Sequence, residues 1–307
     1  MEGYDYTFGR SRKVPFDDVP RDHRVQLFGV DYVHIRGMQS GDLYITREGW
    51  PVVECVVPEK WFVGDRFSRV GRALAGATGA VYRVPVEHPV AKDFALVVKF
   101  CRFGQDTLVT AIDPVASSDR SVQRQFAGAE FLSPFEEFGN LMRLRRSSGP
   151  RIRTKHPLAI YSPATRYLDW ELGRRSSLKD IHSSRLLSSQ SDRHPGARIN
   201  YDWERMYVLV YRWIDGLDTV QAMHAGLLSQ HSMLALTDLA RKRLAENGFI
   251  VLDHKPRHVI VRPKRNGDGM LSTRDEAAWA LVDYELLFPL SDTDSSNRQP
   301  RPSDHND

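Results

Sequence analysis

The feature that most constrains this chain of 307 residues is a single lysine inside an apolar run. The run is DFALVVKFCRF at 93–103, and Lys99 interrupts it. A near-continuous apolar run of this length predicts a strand that is buried on both faces. A lysine there is costly to bury unless its amine meets an anion, although on an edge strand the amine would reach water instead. Lys99 is therefore a candidate ligand for an anionic group.

The hydrophobic pattern changes from strand-like to helical along the chain. In 41–58, two β-branched runs flank residues 47–49 and predict a hairpin. From Ser133 the period is helical, with Ser133 as N-cap and Pro134 in the first turn. Further strands are predicted at 156–163, 206–214, 249–253 and 278–287, and a long helical segment at 219–248. This order predicts an α+β protein with a β-rich front.

Composition limits the class of protein and its compartment. Hydrophobic residues make up 41% of the chain, which is ample for a core, and the net charge of +4 is a small excess that does not itself indicate nucleic acid. Cys55 and Cys101 match no ligand or redox spacing, so free thiols are expected. The sequence shows no secretory signal and no run near the ~20 apolar residues of a membrane helix. We therefore expect a cytoplasmic protein without a transmembrane segment.

The segment Asp-His-Lys-Pro-Arg-His at 253–258 carries the most specific motif. It resembles the catalytic loop of protein kinases, D-x-K-P-x-N. The resemblance implies that Asp253 orients or deprotonates the attacking hydroxyl and that Lys255 neutralises charge on the transferred phosphoryl group. His258 stands in the position of the metal-binding asparagine, and imidazole suits softer metals than Mg²⁺.

A second motif follows the apolar strand that ends at Asp283. Asp283-Tyr284-Glu285 resembles the DFG motif, and more closely the D-x-E/D form of small-molecule and lipopolysaccharide-sugar kinases. The resemblance implies that Asp283 holds Mg²⁺, or alternatively Mn²⁺, and that Glu285 assists it.

The resemblance also implies roles for residues nearer the front of the chain. Lys99 would bind the phosphates of ATP and pair with a glutamate of the next helix. Glu137 lies on the helical face that points inward, and Glu136 is the reserve choice.

The glycine turn before the lysine strand is a weaker match. Gly76, Gly79 and Val81 fit a nucleotide-binding GxGxxGxV loop, but Leu74 stands where its first glycine belongs. Taken alone, this segment is better explained as an ordinary glycine-bearing hairpin.

Taken in order, these motifs resemble a two-lobed protein-kinase-like fold, with an antiparallel β-rich N-lobe and a reduced helical C-lobe. The predicted function is an ATP-dependent phosphotransferase, and its hydroxyl acceptor is a sugar, a lipid-linked group or a protein. We expect no counterpart of the usual activation segment after Asp283. The predicted divisions are a disordered arm at 1–25, a β extension at 26–65, an N-lobe at 66–214 with insertions near 104–130 and 169–205, a minimal C-lobe at 215–290, and a disordered tail at 291–307.

Three other functions are compatible with parts of the sequence. A pseudokinase would bind nucleotide or a partner without transfer, as the histidine at 258 and the short C-lobe suggest. A metal-dependent hydrolase would use His254 with His258, but Pro256 disfavours the helix that this spacing needs. A nucleic-acid binder would use basic runs that lack interleaved aromatic residues. Those basic residues are Arg143, Arg145, Arg146, Arg151, Arg153, Lys155, Arg174 and Arg175.

Overall fold

An eight-stranded antiparallel sheet dominates the computed structural model, which describes residues 14–74, 80–89, 91, 93–101, 131–164, 202, 205–264, 269–273 and 276–290. Its strands are β1 (Arg24–Leu27), β2 (Val30–Met38), β3 (Gly41–Thr46), β4 (Arg72–Leu74), β5 (Val81–Pro85), β6 (Ala95–Phe100), β7 (Pro157–Ser162) and β8 (Val208–Arg212). They lie in the order β1-β2-β3-β7-β8-β6-β5-β4. The α+β class predicted from the sequence is confirmed, and the first three strands belong to the same sheet as the lysine strand β6.

Smaller elements follow the large sheet. The helices are α1 (Val53–Val56), α2 (Arg66–Arg69), α3 (Pro134–Arg146), α4 (Thr219–His224) and α5 (Gln230–Glu246). The later strands are β9 (Leu217–Asp218), β10 (Phe249–Val251), β11 (Val259–Val261), β12 (Ser272–Thr273), β13 (Glu276–Ala277), β14 (Trp279–Leu281) and β15 (Leu287–Pro289). They pair as β9-β11-β14, β10-β15 and β12-β13. The predicted helical segment at 219–248 is two helices, because the chain turns at Gly226, where φ is +71°.

The two faces of the large sheet are covered by different parts of the chain. Helix α3 packs on one face, where it buries Phe135, Phe138 and Leu141. The opposite face is covered by the segment that includes Trp50, Val56 and Trp61. Strand β6 lies between the two cores, so its alternate side chains are buried on both sides, as its apolar run predicts.

Two sequence predictions in the first quarter of the chain are wrong. The predicted hairpin at 47–49 is absent, because only 41–46 is a strand and the second apolar run folds into a 3₁₀ turn (Trp50–Val52) and α1. These helical turns bury Cys55 and Val56 against the sheet, so the run packs without pairing as a strand. Residues 14–25 were predicted as part of a disordered arm, yet Phe16 and Val19 are buried in the same core.

Several predictions concern residues outside the described ranges. They are the first 13 residues of the arm, Gly76 and Gly79, the insertion near 104–130, most of that near 169–205 with Arg174 and Arg175, and the tail from 291. In the part of the chain that the structure describes, no helix has both the length and the apolar character that a membrane span requires.

Candidate active site

Strand β6 places the amine of Lys99 beneath helix α3. Lys99 Nζ lies 3.1 Å from Glu137 Oε2 and 3.3 Å from Glu137 Oε1, so one amine meets both carboxylate oxygens. Only 13% of the lysine side chain and 3% of the glutamate side chain are exposed. The structure therefore contains the lysine–glutamate pair that the sequence predicts, at a nearly dry position.

Lys99 also contacts two carboxylates from the end of the chain. Its amine lies 3.1 Å from Glu285 Oε2 and 3.6 Å from Asp283 Oδ1. Burial alone would lower the pKa of Lys99, but the charges of Glu137, Glu285 and Asp283 more than offset it and hold that pKa well above its ordinary value. Lys99 is therefore a cation that joins the sheet and helix α3 to the loop after β14.

Helix α3 is fixed in a way that selects Glu137 over Glu136. Ser133 caps the helix, since its side chain accepts a hydrogen bond from Glu136 N while the Glu136 carboxylate accepts one from Ser133 N. Glu136 is therefore engaged at the helix N-terminus, and the next residue points to the sheet. There the hydroxyl of Tyr211, on β8, donates to Glu137 Oε1 at 2.5 Å.

A second group of polar side chains lies around Asp283. Asp253 follows β10, His258 belongs to a 3₁₀ turn (Pro256–His258) before β11, and Asp283 follows β14. These three residues offer ligand atoms that all lie within 4.8 Å of one another. Lys255 Nζ lies 3.1 Å from Asp253 Oδ2. The structure thus brings together the residues that the sequence assigned to catalysis and to the metal, except Glu285, which lies on the Lys99 amine.

The chemistry of these residues fits a divalent cation. Two carboxylates and an imidazole are all metal ligands. Asp253 Oδ1 and His258 Nδ1 are buried without a hydrogen-bond partner among the described residues. Burial raises the pKa of Asp283, but Lys99, His258 and Lys155 lower it more, so the carboxyl stays ionised and able to bind a cation.

Lys155 is a site residue that sequence reasoning did not identify, because it was counted in a basic run. Its backbone N–H donates to the hydroxyl of Tyr284 at 2.8 Å, and its amine lies 5.5 Å from the centre of the Tyr211 ring. Burial lowers the pKa of Lys155 to about 8, although the charge of Asp283 opposes this shift. The sequence pattern does not distinguish Lys155 from the other members of the basic run. Its neighbours Arg151 and Arg153 are exposed, whereas Lys155 points inward.

The other predicted residues lie as follows. Val81 is directly opposite Lys99 in the β5–β6 ladder, so the two share a face of the sheet. Arg145, from the basic run, points to Glu48, and their nearest atoms are 2.9 Å apart. His254 Nε2 lies 3.0 Å from Thr237 O on helix α5, and His254 is absent from the group of candidate metal ligands.

Solved structures resemble this chain at low sequence identity, and three of them are named here. WaaP in complex with acyl carrier protein matches with a TM-score of 0.36 and 11% identity, over 75% of this chain and 68% of that one. A variant of the Mycobacterium tuberculosis PknI kinase domain matches with a TM-score of 0.29 and 15% identity, over 72% of this chain and 60% of that one.

The complex of Rv3197 with erythromycin, also from Mycobacterium tuberculosis, matches with a TM-score of 0.31 and 11% identity, over 78% of this chain and 52% of that one. No protein-family model matches the sequence, and neither does any curated protein. Because these TM-scores are low, the roles of individual residues rest on the geometry of this chain. That geometry and the α+β architecture are consistent with a protein-kinase-like fold.

Proposed function

We propose that this chain is a phosphotransferase that binds ATP with a divalent metal and transfers the γ-phosphoryl group to a hydroxyl of its acceptor. The observation that carries the proposal is the continuous set of charges from Glu137 through Lys99 to Asp283. At the far end of this set, Asp283 Oδ2 lies 3.5 Å from His258 Nε2. A phosphate–metal complex needs cations for its oxygens and anions for its metal, and this set supplies both.

Lys99 and Lys255 would bind the phosphates. Lys99 already has a high pKa and is nearly buried, so it keeps its charge and interacts strongly with an anion. Lys255 is more exposed, with 32% of its side chain in solvent, so it can turn from Asp253 to the transferred group. Val81 faces the same side of the sheet as Lys99 and would contact the nucleotide.

Asp253 would act on the acceptor. As the acceptor hydroxyl oxygen attacks the γ-phosphorus, the bond from that phosphorus to the bridging oxygen of ADP breaks. The hydroxyl proton passes to the Asp253 carboxylate, and ADP carries away the electron pair of the broken bond. The metal supplies charge neutralisation for the phosphates, and Asp283 and His258 would hold it, with Glu285 beside them.

The acceptor belongs to the proposal only as a class. A sugar, a lipid-linked group and a protein all present a hydroxyl that could accept the phosphoryl group. The proposal also assigns Gly76 and Gly79 to the binding of the phosphates, as the sequence motif predicts, and both lie outside the described residues.

Calorimetry on the full chain tests the proposal, with ATP, GTP and ADP, each in Mg²⁺, Mn²⁺ or EDTA. We expect binding that EDTA abolishes and that Asp283→Asn weakens at least tenfold, on the order of the effect of one buried charged partner. Asp253→Asn should weaken ATP binding less than Asp283→Asn does and should lose phosphoryl transfer, followed as the conversion of ATP to ADP. If both variants lose binding equally, the division of roles is wrong.

Two results would overturn the proposal. Binding that does not need metal, without any turnover, would support a pseudokinase, which the imidazole at position 258 favours. An absence of nucleotide binding from protein shown to be folded by circular dichroism would contradict both functions.

A further inference from the structure

We propose that Asp253, His258 and Asp283 form a metal site that prefers first-row transition ions such as Mn²⁺ and Zn²⁺ to Mg²⁺, and that fills before nucleotide binds. The inference deepens the proposed function and rests on it for the location of the metal. It adds the class of metal and the order of binding. Its basis is that these three side chains offer ligand atoms within 4.8 Å of one another.

Each carboxylate has one oxygen near a lysine amine and a second oxygen that this lysine does not contact. Asp283 Oδ1 lies 3.6 Å from Lys99 Nζ, while its Oδ2 faces His258. Asp253 Oδ2 accepts from Lys255, while its Oδ1 is buried without a hydrogen-bond partner in the described part of the chain. A buried acceptor without a partner costs about 1–3 kcal/mol, so a ligand at this centre would remove a penalty that the free chain carries.

The distance between imidazole and carboxylate suits shared metal ligands. His258 Nε2 and Asp283 Oδ2 are 3.5 Å apart, which is too long for a good hydrogen bond. Two ligands that each lie about 2.1 Å from a tetrahedral ion are about 3.4 Å apart. The pair is therefore spaced as two ligands of one ion would be.

The backbone holds this spacing in the free chain. Strands β11 and β14 pair with Val259 opposite Leu281, one residue after His258 and two before Asp283. Val282 N donates to His258 O at 2.9 Å, and His258 N donates to Lys255 O at 2.9 Å. The ligand-bearing loops are thus joined by main-chain hydrogen bonds and do not need nucleotide phosphates to bring them together.

The donor atoms decide the class of metal. Mg²⁺ demands an octahedral shell of oxygens and loses water reluctantly, whereas Mn²⁺ accepts an imidazole nitrogen beside oxygen ligands and Zn²⁺ favours one. One nitrogen among two oxygens therefore moves the preference from Mg²⁺ toward the transition ions, in the order Zn²⁺, Mn²⁺, Mg²⁺.

The test is metal binding by the full chain without nucleotide. Calorimetry with Mg²⁺, Mn²⁺ and Zn²⁺ should show Mn²⁺ bound at least about tenfold more tightly than Mg²⁺, and Zn²⁺ more tightly still. Electron paramagnetic resonance of the Mn²⁺-loaded chain should show coupling to an imidazole nitrogen. Equal affinity for Mg²⁺ and Mn²⁺, or an absence of nitrogen coupling in the wild type, would overturn the inference without any variant.

His258→Asn replaces the nitrogen ligand with an oxygen ligand of similar size. It should lose the nitrogen coupling and reduce the Mn²⁺ to Mg²⁺ affinity ratio about tenfold. The matched control is His224→Asn, since His224 is exposed on α4 and lies outside the group, and this variant should keep both signals. An unchanged ratio in folded His258→Asn would contradict the inference.

The outcomes separate this inference from the proposed function. If Mn²⁺ binds with nitrogen coupling but ATP does not bind to the loaded chain, the metal site stands and the phosphotransferase fails. If ATP binds equally well with Mg²⁺ and Mn²⁺ and the coupling is absent, the phosphotransferase stands and the metal preference fails.

Discussion

The two halves of the candidate site are built on different scaffolds. Lys99 and Glu137 lie between an eight-stranded sheet and a helix with nine buried residues, whereas Asp253, His258 and Asp283 follow strands of three residues each or lie in a 3₁₀ turn. The first half satisfies its charges internally, through contacts of 3.1 Å between the Lys99 amine and both glutamates. The second half has buried polar atoms without partners at Asp253, His254 and His258, within the described residues.

The difference separates a half whose charges are paired from a half with buried polar atoms that have no partner among the described residues. A fully satisfied polar network is rigid and holds one geometry, while unpartnered buried atoms are unfavourable until something binds to them. We therefore expect changes in the first half to lower the stability of the chain, and changes in the second half mainly to alter ligand binding.

The largest effect is expected for Lys99→Met. It leaves Glu137, Asp283 and Glu285 around a buried site without their shared cation, which should destabilise the chain by about 3–5 kcal/mol and abolish ATP binding. Urea unfolding measures the first effect and calorimetry the second. The control is Lys255→Met in the other half, where the partly exposed pair with Asp253 predicts a loss of at most about 1 kcal/mol.

The loss in Lys99→Met should depend on pH in a defined direction. Burial raises the pKa of Asp283, but Lys99 and its other cationic neighbours bring it below the ordinary value. A depressed pKa contributes stability above the unfolded value of about 3.9 and loses it as the pH falls. The stability gap between wild type and Lys99→Met should therefore narrow below about pH 4. Two results would contradict this difference between the halves of the site. One is an equal loss of unfolding free energy in Lys99→Met and Lys255→Met, and the other is a difference between wild type and Lys99→Met that grows in acid.

A smaller effect is expected where the N-terminal strands meet helix α3. A Cβ atom at Gly139 would lie 2.7 Å from Phe28 Cβ and 2.8 Å from Phe28 O. Gly139→Val should therefore force the β1–β2 turn away from the helix and cost about 1–3 kcal/mol.

Urea unfolding measures this cost, and ATP affinity shows whether Glu137 moves with the helix. The control is Arg146→Val, at an exposed position at the end of the same helix, where a cost of about 0.5 kcal/mol or less is expected. If Gly139→Val is as stable as the wild type, the N-terminal strands do not hold α3 in place.

The smallest effect is expected for Glu48→Gln. Glu48 contacts Arg145 at 2.9 Å and His156 Nδ1 at 2.7 Å, and about a quarter of its side chain is exposed. Removing its charge should cost about 1 kcal/mol or less.

The cost of Glu48→Gln should disappear in acid. Burial raises the pKa of Glu48, but the contacts with His156 and Arg145 lower it more, so its contribution is present above the unfolded pKa of about 4.3 and is lost as the pH falls. Urea unfolding at pH 7 and pH 3.5 checks both points. A difference that is the same at both pH values would exclude this charge as its cause.

The predictable parts of the site are those that local sequence specifies. The apolar run around Lys99 indicated a doubly buried strand, and helical spacing placed Glu137 on the inward face. Ser133 as a cap followed from its neighbours alone, since the reciprocal bonds join it to a residue three positions later.

The errors arose where burial depends on distant contacts. The run after residue 49 has the β-branched composition of a strand, but it folds into helical turns that bury Cys55 and Val56 against the sheet. Trp50 Nε1 donates to Val14 O at 2.7 Å, which joins this segment to the predicted arm. Packing overrides the β-propensity of this segment. The face of the sheet must be covered by apolar side chains, and these can be supplied by helical turns as well as by a strand.

The sequence by itself determined which residues carry charge within apolar segments, because patterns of two to four residues decide strand faces, helix faces and caps. Lys99 and Glu137 belong to that class, whereas Asp253, Lys255 and Asp283 were identified through the resemblance of their motifs to those of kinases. Tertiary structure alone decided that Glu285 and Asp283 share the amine of Lys99, and that Lys155 turns inward from a basic run. Those contacts join segments far apart in the chain, and they depend on a sheet whose strand order follows from packing and pairing over its whole width.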